Sequence, residues 1–369
     1  MKFLKLCLLL VLASTLTYCS TDEPNEDEMS QQDDDNGDGD SDSSNQETTI
    51  LDANVVSDGI VISGASKITN GLPSPNGAID FTLGDTGSAV INEGFEILFN
   101  VVDGLTIAGA YLQISSLDGT AADAYYDIPN ASFGRESTPF ISKIKKDHSR
   151  IMDFTETLDI GFSTSVPPGQ FCYTVCLYDE VGNITLPQEV CLTIESFGGN
   201  SDIVGVWNMT NIQDTYNGTT VSGGIGDELC YMEQLQCNNG NVVNATYCEV
   251  YELLRFTLNA DGTYLLEQEI LDSDFDYDQT IQTCMVVDLP DTTYAYVSSG
   301  NWAYNQTQGR LVTIEYSYTE NDNGDIFTDT YPTGQGEVFF DAPVSISGNS
   351  FIITQDFGDG DSYSITFGN

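Results

Sequence analysis

Over most of its length the chain alternates apolar and polar residues in short runs, and no segment keeps a helical period over three turns. Alternation with a period of two predicts half-buried β-strands, because successive side chains of a strand point to opposite faces. In the first half the predicted strands are Gly59–Ser63, Ala78–Leu83, Phe95–Val102, Ala110–Ser115, Thr155–Phe162, Phe171–Tyr178 and Glu189–Ile194. About seven short strands in this length are typical of a β-sandwich.

A second series of alternating runs follows the Gly-rich linker 197–201. Its first strand begins at Ile203, and the stretch Asn259–Gly262 has the composition of a hairpin turn between two longer strands. Further predicted strands are Leu311–Tyr318, Glu337–Phe340, Phe351–Gln355 and Tyr363–Phe367. About eight strands at this spacing fit an up-and-down antiparallel barrel. The predicted fold class is therefore all-β, with a sandwich at 50–198 and a barrel at 201–369.

The chain begins with two lysines and a short apolar run, Leu6–Ala13, and then reads Leu16-Thr17-Tyr18-Cys19. The run is too short to span a bilayer, which takes about 20 residues. These features resemble a bacterial lipoprotein signal peptide, here residues 1–18. The resemblance implies cleavage before Cys19 and attachment of outer-membrane lipid to its thiol. The alternative is a secretory signal cut nearby, with Cys19 removed or left as a free thiol, because Tyr18 replaces the usual small residue.

Residues 19–49 form a strongly acidic tract without aromatic residues. Such a segment cannot bury enough apolar surface to offset its conformational entropy, so we predict a disordered tether. The acidic run after Cys19 resembles the signal that sends lipoproteins of the Bacteroidetes to the outer face of the outer membrane. Part of the tract also matches a calcium-loop spacing, at Asp34, Asn36, Asp38, Gly39 and Asp42. Asn45 stands where that loop needs a bidentate Glu, so an acidic linker is the preferred interpretation.

The net charge of −47 is extreme, and residues 201–369 carry 26 acidic side chains against two basic ones, Arg255 and Arg310. So negative a surface repels phosphate backbones, and nucleic acid is therefore excluded as a partner. In one segment, His148 lies among five bases: Arg135, Lys143, Lys145, Lys146 and Arg150. This segment is either a docking patch for an acidic glycan or lipopolysaccharide phosphate, or a basic loop that neutralises the acidic body. The second interpretation is preferred.

Export predicts disulfide bonds, because exported chains fold in an oxidising compartment. Zinc is the competing interpretation, and it fails because the chain has no Cys-x-x-Cys and only one His. Alternation places Cys172 and Cys176 on one face of a strand, and Cys191 on the next strand faces that row. A turn centred near residue 181 puts Cys191 opposite Cys172, and a longer loop puts it opposite Cys176. The first pairing is preferred, with Cys176 as a buried thiol.

Both halves resemble known families. The hairpin Phe171–Asn183 resembles the last hairpin of bacterial immunoglobulin-like domains, in which an Asp-x-x-Gly-Asn turn joins two alternating strands. The second half resembles lipocalins and the lipocalin-like domains of Bacteroidetes lipoproteins, through Gly205-x-Trp207 and an ordered set of later matches: Cys248, Leu254–Tyr264, Cys284 and Gly300-Asn301-Trp302. This resemblance implies that Trp207 plugs the closed end of the barrel. It also implies an arginine on the indole, either Arg255 or Arg310, unless that end is capped differently.

Four cysteines belong to the barrel half of the chain. The preferred pairs are Cys248–Cys284, which would join two strands, and Cys230–Cys237, which would close a small loop. Four cysteines allow three pairings, so two others remain open.

The sequence predicts no enzyme, cofactor or metal site. A Ser-His-Asp or Cys-His site needs a histidine, and the single one lies in the basic segment. A pair of carboxylates is uninformative among 57 acidic residues. Four alternating aspartates would line one face if extended, where they could hold calcium, although a solvated loop is preferred: Asp272, Asp274, Asp276 and Asp278.

The predicted function is that of a monomeric, lipid-anchored and surface-exposed binding protein, whose barrel holds a small or amphiphilic ligand. The alternative is a structural or adhesive surface lipoprotein in contact with a glycan or matrix, with a barrel filled by its own side chains. Small eight-stranded barrels occur in both forms.

Overall fold

The structure is a computed structural model, and it describes residues 49–369 except 70, 78, 85–87, 102–105, 135–155, 217 and 359. The predicted signal peptide, Cys19, the acidic tract up to residue 48 and the basic segment 135–150 therefore lie outside the described residues. The described part is nearly all β and contains two sheets within one compact unit. The predicted all-β fold class is confirmed.

The first sheet follows a short helix, α1 (Ala53–Gly59), whose first turn is capped by the Asp52 carboxylate. Its strands are β1 (Ile60–Val61), β2 (Ser66–Ile68), β3 (Phe81–Leu83), β4 (Ala89–Val90), β5 (Gly94–Val101), β6 (Ile107–Ser115), β7 (Ala121–Pro129), β8 (Glu156–Phe162), β9 (Gly169–Asp179) and β10 (Gln188–Glu195). A 3₁₀ helix at Asn130–Ser132 follows β7.

This sheet curls on itself, because the order β1-β8-β5-β4-β10-β9-β6-β7-β2 joins two groups of strands through the short β4. β4 pairs antiparallel with β5 and parallel with β10. Both groups contribute to one core, in which the Phe95 ring centroid lies 5.7 Å from that of Phe171 and 5.4 Å from that of Tyr173. The result is sandwich-like, as predicted, and its immunoglobulin-like character stays a prediction.

The hairpin between β9 and β10 is closed by the side chain of Asp179, which accepts a hydrogen bond from the backbone N–H of Asn183 at 2.8 Å. This turn sets Cys191 directly opposite Cys172, and the two residues form a disulfide. The structure thus contains the preferred pairing. Cys176 is a buried free thiol, and burial raises its pKa to about 11.

The second sheet begins after a 3₁₀ turn at Ser201–Ile203. Its strands are β11 (Gly205–Tyr216), β12 (Thr219–Gly223), β13 (Glu228–Gln236), β14 (Val242–Leu258), β15 (Thr263–Ser273), β16 (Thr292–Asn305), β17 (Arg310–Asp322), β18 (Asp325–Thr330), β19 (Glu337–Ser347), β20 (Ser350–Gly358) and β21 (Asp361–Gly368). A second helix, α2 (Tyr277–Thr283), lies between β15 and β16.

Eight of these strands close into an antiparallel barrel, because β11 pairs with β21 on one side and with β14 on the other. The order around the barrel is β11-β14-β15-β16-β17-β19-β20-β21. β12, β13 and β18 extend hairpins beyond this ring. Each barrel strand thus pairs with the next one along the chain, which is the up-and-down topology predicted.

The disulfides of the second half differ from the preferred pairs. Cys230 bonds to Cys248, which lies directly opposite it across β13 and β14. Cys237 bonds to Cys284 and joins the end of the β13–β14 hairpin to the end of α2. The pairs Cys248–Cys284 and Cys230–Cys237 are therefore contradicted. The reason is that β13 was not foreseen as a strand, so its register with β14 could not be used.

One end of the barrel contains Trp207, near the start of β11 at Gly205. The indole is buried, its N–H donates to the backbone oxygen of Ile203 at 2.7 Å, and Phe351 packs edge-on against it at 5.0 Å between ring centroids. Both arginines form ion pairs: Arg255 with Glu267 at 2.6 Å and Arg310 with Asp341 at 2.5 Å. An aromatic contact therefore caps this end, where the resemblance implied an arginine.

The two sheets meet at a small apolar cluster formed by Val90, Phe197, Ala303, Val312, Ile314, Tyr316 and Val338. Beside it, Asp341 on β19 accepts from the backbone N–H and the hydroxyl of Ser88, at 2.5 and 3.0 Å. Burial raises the pKa of Asp341, although Arg310 beside it favours the carboxylate. Asn305 adds a hydrogen bond to Glu195 at 2.5 Å.

Candidate functional site

The barrel interior is where the predicted ligand would lie. Inward residues of its strands form one core, and none of the buried residues in that core exposes more than 8 % of its surface. The largest are less than 2 % exposed: Trp207, Trp302, Tyr251, Tyr363, Phe256, Phe339, Phe351 and Phe367. Side chains around a ligand-sized cavity would keep surface that a water molecule can touch. These described core residues therefore pack against one another with little surface that water can reach.

Aromatic rings stack through the middle of the barrel, with Phe339 at the centre. Its ring is nearly parallel to that of Tyr264, at 6.4 Å, and to that of Tyr296, at 5.9 Å. Tyr296 continues the stack to Tyr318, 5.7 Å away. Because Phe339 touches rings on both sides, its removal would leave a ring-sized gap in the centre of the barrel.

A set of polar groups lies among these rings, around the fully buried Glu315. The Tyr296 hydroxyl donates to Glu315 at 2.6 Å, and the hydroxyls of Tyr264 and Ser298 are 2.8 Å apart. Burial, and then the charge of Glu315, raise the pKa of Tyr296 and of Tyr264. The buried Thr313 hydroxyl lies close to the Tyr264 hydroxyl, but the two groups are not oriented for a hydrogen bond. These groups could contact a polar ligand if the rings moved.

A second polar set lies at the β11–β14 side of the same interior. The Tyr251 hydroxyl is 3.5 Å from the carboxylate of Glu249, and both residues are buried. Burial, and then neighbouring groups that include Glu249, raise the pKa of Tyr251 and of Tyr231. Asp214 on β11 also acts on Tyr231. The polar sets fix tyrosine rings through their hydroxyls, so the interior is held by hydrogen bonds as well as by packing.

The end of the barrel opposite Trp207 has an added structure built on α2, between β15 and β16. The Asp276 side chain caps this helix by accepting from the backbone N–H of Gln279 at 2.9 Å. The Cys237–Cys284 disulfide and the packing of Phe275 and Ile281 fix the helix against the β13–β14 hairpin. The four alternating aspartates therefore do not form one extended row, because the chain turns into a helix after Asp276.

Exposed apolar side chains collect at this end. They are Tyr277, Met285, Val286 and Leu289 around α2, and Ile326 and Phe327 on β18. The backbone N–H of Asn323, in the β17–β18 turn, donates to the backbone oxygen of Thr293 at the start of β16 at 2.8 Å. The strand register sets Phe327 opposite Glu320 and Glu320 opposite Tyr296, so the two groups lie at different levels of the barrel. Met285 is 66 % exposed and Ile326 70 %. We call these six residues the distal rim.

Four exposed aspartates lie within the same two segments: Asp278, Asp288, Asp291 and Asp325. No lysine or arginine occurs between Arg255 and Arg310, or after Arg310. The solvated loop predicted from the sequence comprised Asp272, Asp274, Asp276 and Asp278, and the exposed apolar residues after it were not predicted. A signal was present, since Met285-Val286-Val287 and Ile326-Phe327 are apolar runs, each next to an aspartate.

Metal and membrane features were also sought among the described residues. One group has ligand spacing, Cys172, Glu189 and Cys191, but its two cysteines are joined in a disulfide. No helix in the described part of the chain is both long enough and apolar enough to cross a bilayer.

Comparisons with known proteins do not assign a family to the chain. No protein-family model, characterised protein or solved structure matches the chain.

Proposed function

We propose that the chain is a lipid-anchored outer-membrane protein, displayed on the cell surface, whose filled barrel is a rigid support for adhesive or structural contacts. The observation that carries the proposal is the packing of the barrel interior, where the large aromatic residues are less than 2 % exposed. Such a barrel offers its outer surface rather than a pocket. Cys19 provides the anchor and the acidic tract 19–49 provides the tether.

The join between the two sheets supports this role. The barrel contacts the first sheet through an apolar cluster and through the buried pair of Asp341 and Arg310, which also engages Ser88. A support for external contacts must keep its parts in register under load. A junction that combines packing with charge-assisted hydrogen bonds meets this requirement better than a flexible linker.

A second candidate function is the binding of a small ligand at the open half of the barrel. The polar set around Glu315 favours it, because Thr313 places a buried hydroxyl there without a hydrogen-bond partner. An unmet buried hydroxyl costs free energy that a ligand could recover. Binding would have to move Phe339 or its neighbours in the ring stack, so this candidate requires a conformational change.

The proposal is tested on cells that make the wild type, Cys19→Ala or the control Cys7→Ala, which changes a thiol inside the signal. We expect wild type and control to be stained on intact cells and to adhere to surfaces coated with matrix protein or neutral glycan. Cys19→Ala should be found in the soluble fraction, and its cells should not adhere. Membrane-bound Cys19→Ala would contradict the anchor. Displayed wild type without any gain in adhesion would contradict the function.

A further inference from the structure

We propose that the inner face of the β17–β18 hairpin binds a small organic ammonium ion, in which a primary amine is attached to an apolar body. We call this surface the hairpin face, and its members are Tyr318 and Glu320 on β17 and Phe327 and Asp329 on β18. The inference goes beyond the adhesive function, because it assigns a small-molecule site to the hairpin and leaves the packed interior of the barrel unchanged. Strand register, ring contacts and charge carry it.

Strand register places the four residues of the hairpin face side by side. Tyr318 lies directly opposite Asp329, and Glu320 lies directly opposite Phe327. Glu320 is also opposite Tyr296 on β16, whose ring belongs to the barrel core. Residues that are directly opposite in an antiparallel pair point to the same face of the sheet. The hairpin face therefore continues the inner surface of the barrel outward onto β18.

Aromatic contacts run from the barrel core to the hairpin face. The rings of Tyr296 and Tyr318 stack at 5.7 Å between centroids, and Phe327 continues the series at 5.8 Å from Tyr318. β19 pairs with β17 from Arg310 to Glu315, and β18 takes its place along the rest of β17. Phe327 is 55 % exposed, whereas Tyr296 is 4 % exposed. The series of rings thus ends in an accessible ring, on which an apolar group can pack.

Carboxylates on three strands act on the Tyr318 hydroxyl. Burial raises the pKa of Tyr318, and so do the charges of four acidic residues: Asp329, Glu320, Glu315 and Glu337. Like charges repel one another, and the repulsion is stronger where burial excludes water. A cation held beside the Tyr318 ring would be attracted by all four carboxylates and would relieve their mutual repulsion.

The barrel half of the chain has no spare base for these carboxylates. Residues 201–369 contain two bases, of which Arg255 pairs with Glu267 across β14 and β15, and Arg310 pairs with Asp341 at the junction of the two sheets. An ammonium ion is attracted both by the faces of aromatic rings and by carboxylates, and its N–H groups need acceptors. The hairpin face offers both the rings and the acceptor oxygens.

The extent of the hairpin face favours a small molecule over a protein partner. Two rings and two carboxylates can surround one amine and its apolar body, whereas a stable protein interface takes about 800 Å² from each partner. The negative charge of the site repels anions. An amine with an apolar body is therefore the occupant that fits the size, the rings and the charge together.

The test measures binding of small probes to the mature soluble chain by isothermal titration calorimetry. Phenethylammonium carries the proposed chemistry, phenethyl alcohol and phenylacetate keep its ring but lack its positive charge, and methylammonium keeps the charge but lacks the ring. We expect phenethylammonium to bind at least about tenfold more tightly than each of the others, because ring and charge act together. Equal binding of the alcohol or of methylammonium would overturn the proposal, since the ring or the charge alone would then suffice. Absence of phenethylammonium binding would overturn it as well.

Variants of the aromatic ring locate the site on one face of β18. Phe327→Ser should raise the dissociation constant of phenethylammonium by about fivefold, and Phe327→Leu should also weaken binding, because it keeps an apolar side chain but removes the ring. Ile326→Ser is the matched control, since residue 326 is 70 % exposed and points to the opposite face of the same strand. Equal affinities of the Phe327 and Ile326 variants, with melting temperatures preserved, would overturn the proposal.

A second pair of variants tests the charge. Asp329→Asn should raise the dissociation constant of phenethylammonium by about tenfold, as loss of a hydrogen bond to a charged group does. Glu269→Gln removes an exposed carboxylate from the outward side of β15 and should leave the dissociation constant unchanged. Equal effects of the two variants would overturn the proposal, because the overall negative charge of the chain would then account for binding.

A lysine-rich peptide separates a small amine from a protein partner. Such a peptide is attracted by the overall negative charge, so we expect it to bind wild type and Phe327→Ser equally. If Phe327→Ser weakened binding of the peptide more than binding of phenethylammonium, the hairpin face would be a protein contact and the proposal would be overturned. These measurements need no membrane, so loss of surface display or of adhesion would leave them intact.

Discussion

The hydroxyl of Tyr316, on barrel strand β17, donates a hydrogen bond to the carboxylate of Glu93, in the turn between β4 and β5 of the first sheet. The same carboxylate accepts from the backbone N–H groups of Gly334 and Gly336, at 2.8 and 3.1 Å. One side chain of the first sheet therefore orders both a strand and a loop of the barrel. Glu93 therefore adds a third polar contact to the junction, beside the contacts of Asp341 and of Asn305.

Replacing this carboxylate should loosen the junction. We expect Glu93→Ala to lower the free energy of unfolding by about 1.5–3 kcal/mol, the range for hydrogen bonds to charged groups. Urea unfolding of the mature chain, followed by circular dichroism, measures the change. Glu180→Ala removes an exposed carboxylate from the β9–β10 turn and should change stability by no more than about 0.5 kcal/mol. Equal midpoints for the two variants would show that Glu93 does not hold the junction.

Trp207 should contribute strongly to stability, and its fluorescence should not change when another molecule binds. Its indole is buried at one end of the barrel and bonded to Ile203, so it should emit at short wavelength. Trp207→Ala should cost about 3–5 kcal/mol, as large aromatic truncations in cores do. Trp302 is also buried and donates to Asn259 at 3.0 Å, so Trp207→Phe and Trp302→Phe variants are needed to separate the two emissions. Red-shifted emission from Trp207 would contradict its place in the barrel.

The disulfides of the barrel half make a distinct prediction. Mass mapping of the non-reduced protein should show Cys230–Cys248 and Cys237–Cys284. Their sequence separations are 18 and 47 residues, and the longer loop loses more chain entropy when closed. Replacing the Cys237–Cys284 pair by serines should therefore destabilise the chain by about 0.8 kcal/mol more than replacing the other pair. If replacing Cys230–Cys248 lowered the free energy of unfolding more than replacing Cys237–Cys284, the Cys237–Cys284 bond would not be what holds α2 in place.

Acid should weaken the turn between β14 and β15. The Asp261 carboxylate accepts from the Thr263 hydroxyl at 2.7 Å and from its backbone N–H at 3.0 Å, and these bonds lower the pKa of Asp261. A carboxyl with a lowered pKa stabilises the folded chain above its unfolded pKa of about 3.9, and this contribution is lost as the pH falls through the folded value. Asp261→Asn should thus lower the urea midpoint at neutral pH and converge with wild type in acid. Thr263→Val should reduce the same pH dependence, and a constant difference at all pH values would contradict the assignment.

The sequence predicted the regular strands of the two sheets better than the helix and the hairpins that are attached to them. Barrel strands such as β21 alternate cleanly, and the Asp179–Asn183 turn fixed the register that pairs Cys172 with Cys191. β7 was missed because its run Ala121–Pro129 contains three alanines, whose small side chains give a weak apolar period. β13 was missed because Glu233 interrupts the apolar face of Leu229, Tyr231 and Leu235, and with it the true disulfide pairs were lost.

The candidate site was harder to foresee than the fold. Asp276 looks like one of a row of acids, but its role as a helix cap depends on the turn that follows. The ring contact between Tyr318 and Phe327 depends on the register of β17 and β18, which follows from the turn between them. Local alternation carries no information on such contacts. The filling of the barrel depends likewise on how rings from separate strands interlock.

The measurement that tests the account most directly asks whether the barrel has room for a ligand. Phe339→Ala removes the central ring and should leave a cavity that benzene can enter, at a cost in stability of about 3–5 kcal/mol. We predict that benzene raises the melting temperature of Phe339→Ala and leaves that of the wild type unchanged. Phe327→Ala, on the exposed rim, is the control and should behave as the wild type does. A rise in the melting temperature of the wild type with benzene would contradict the filled barrel, and with it the central claim.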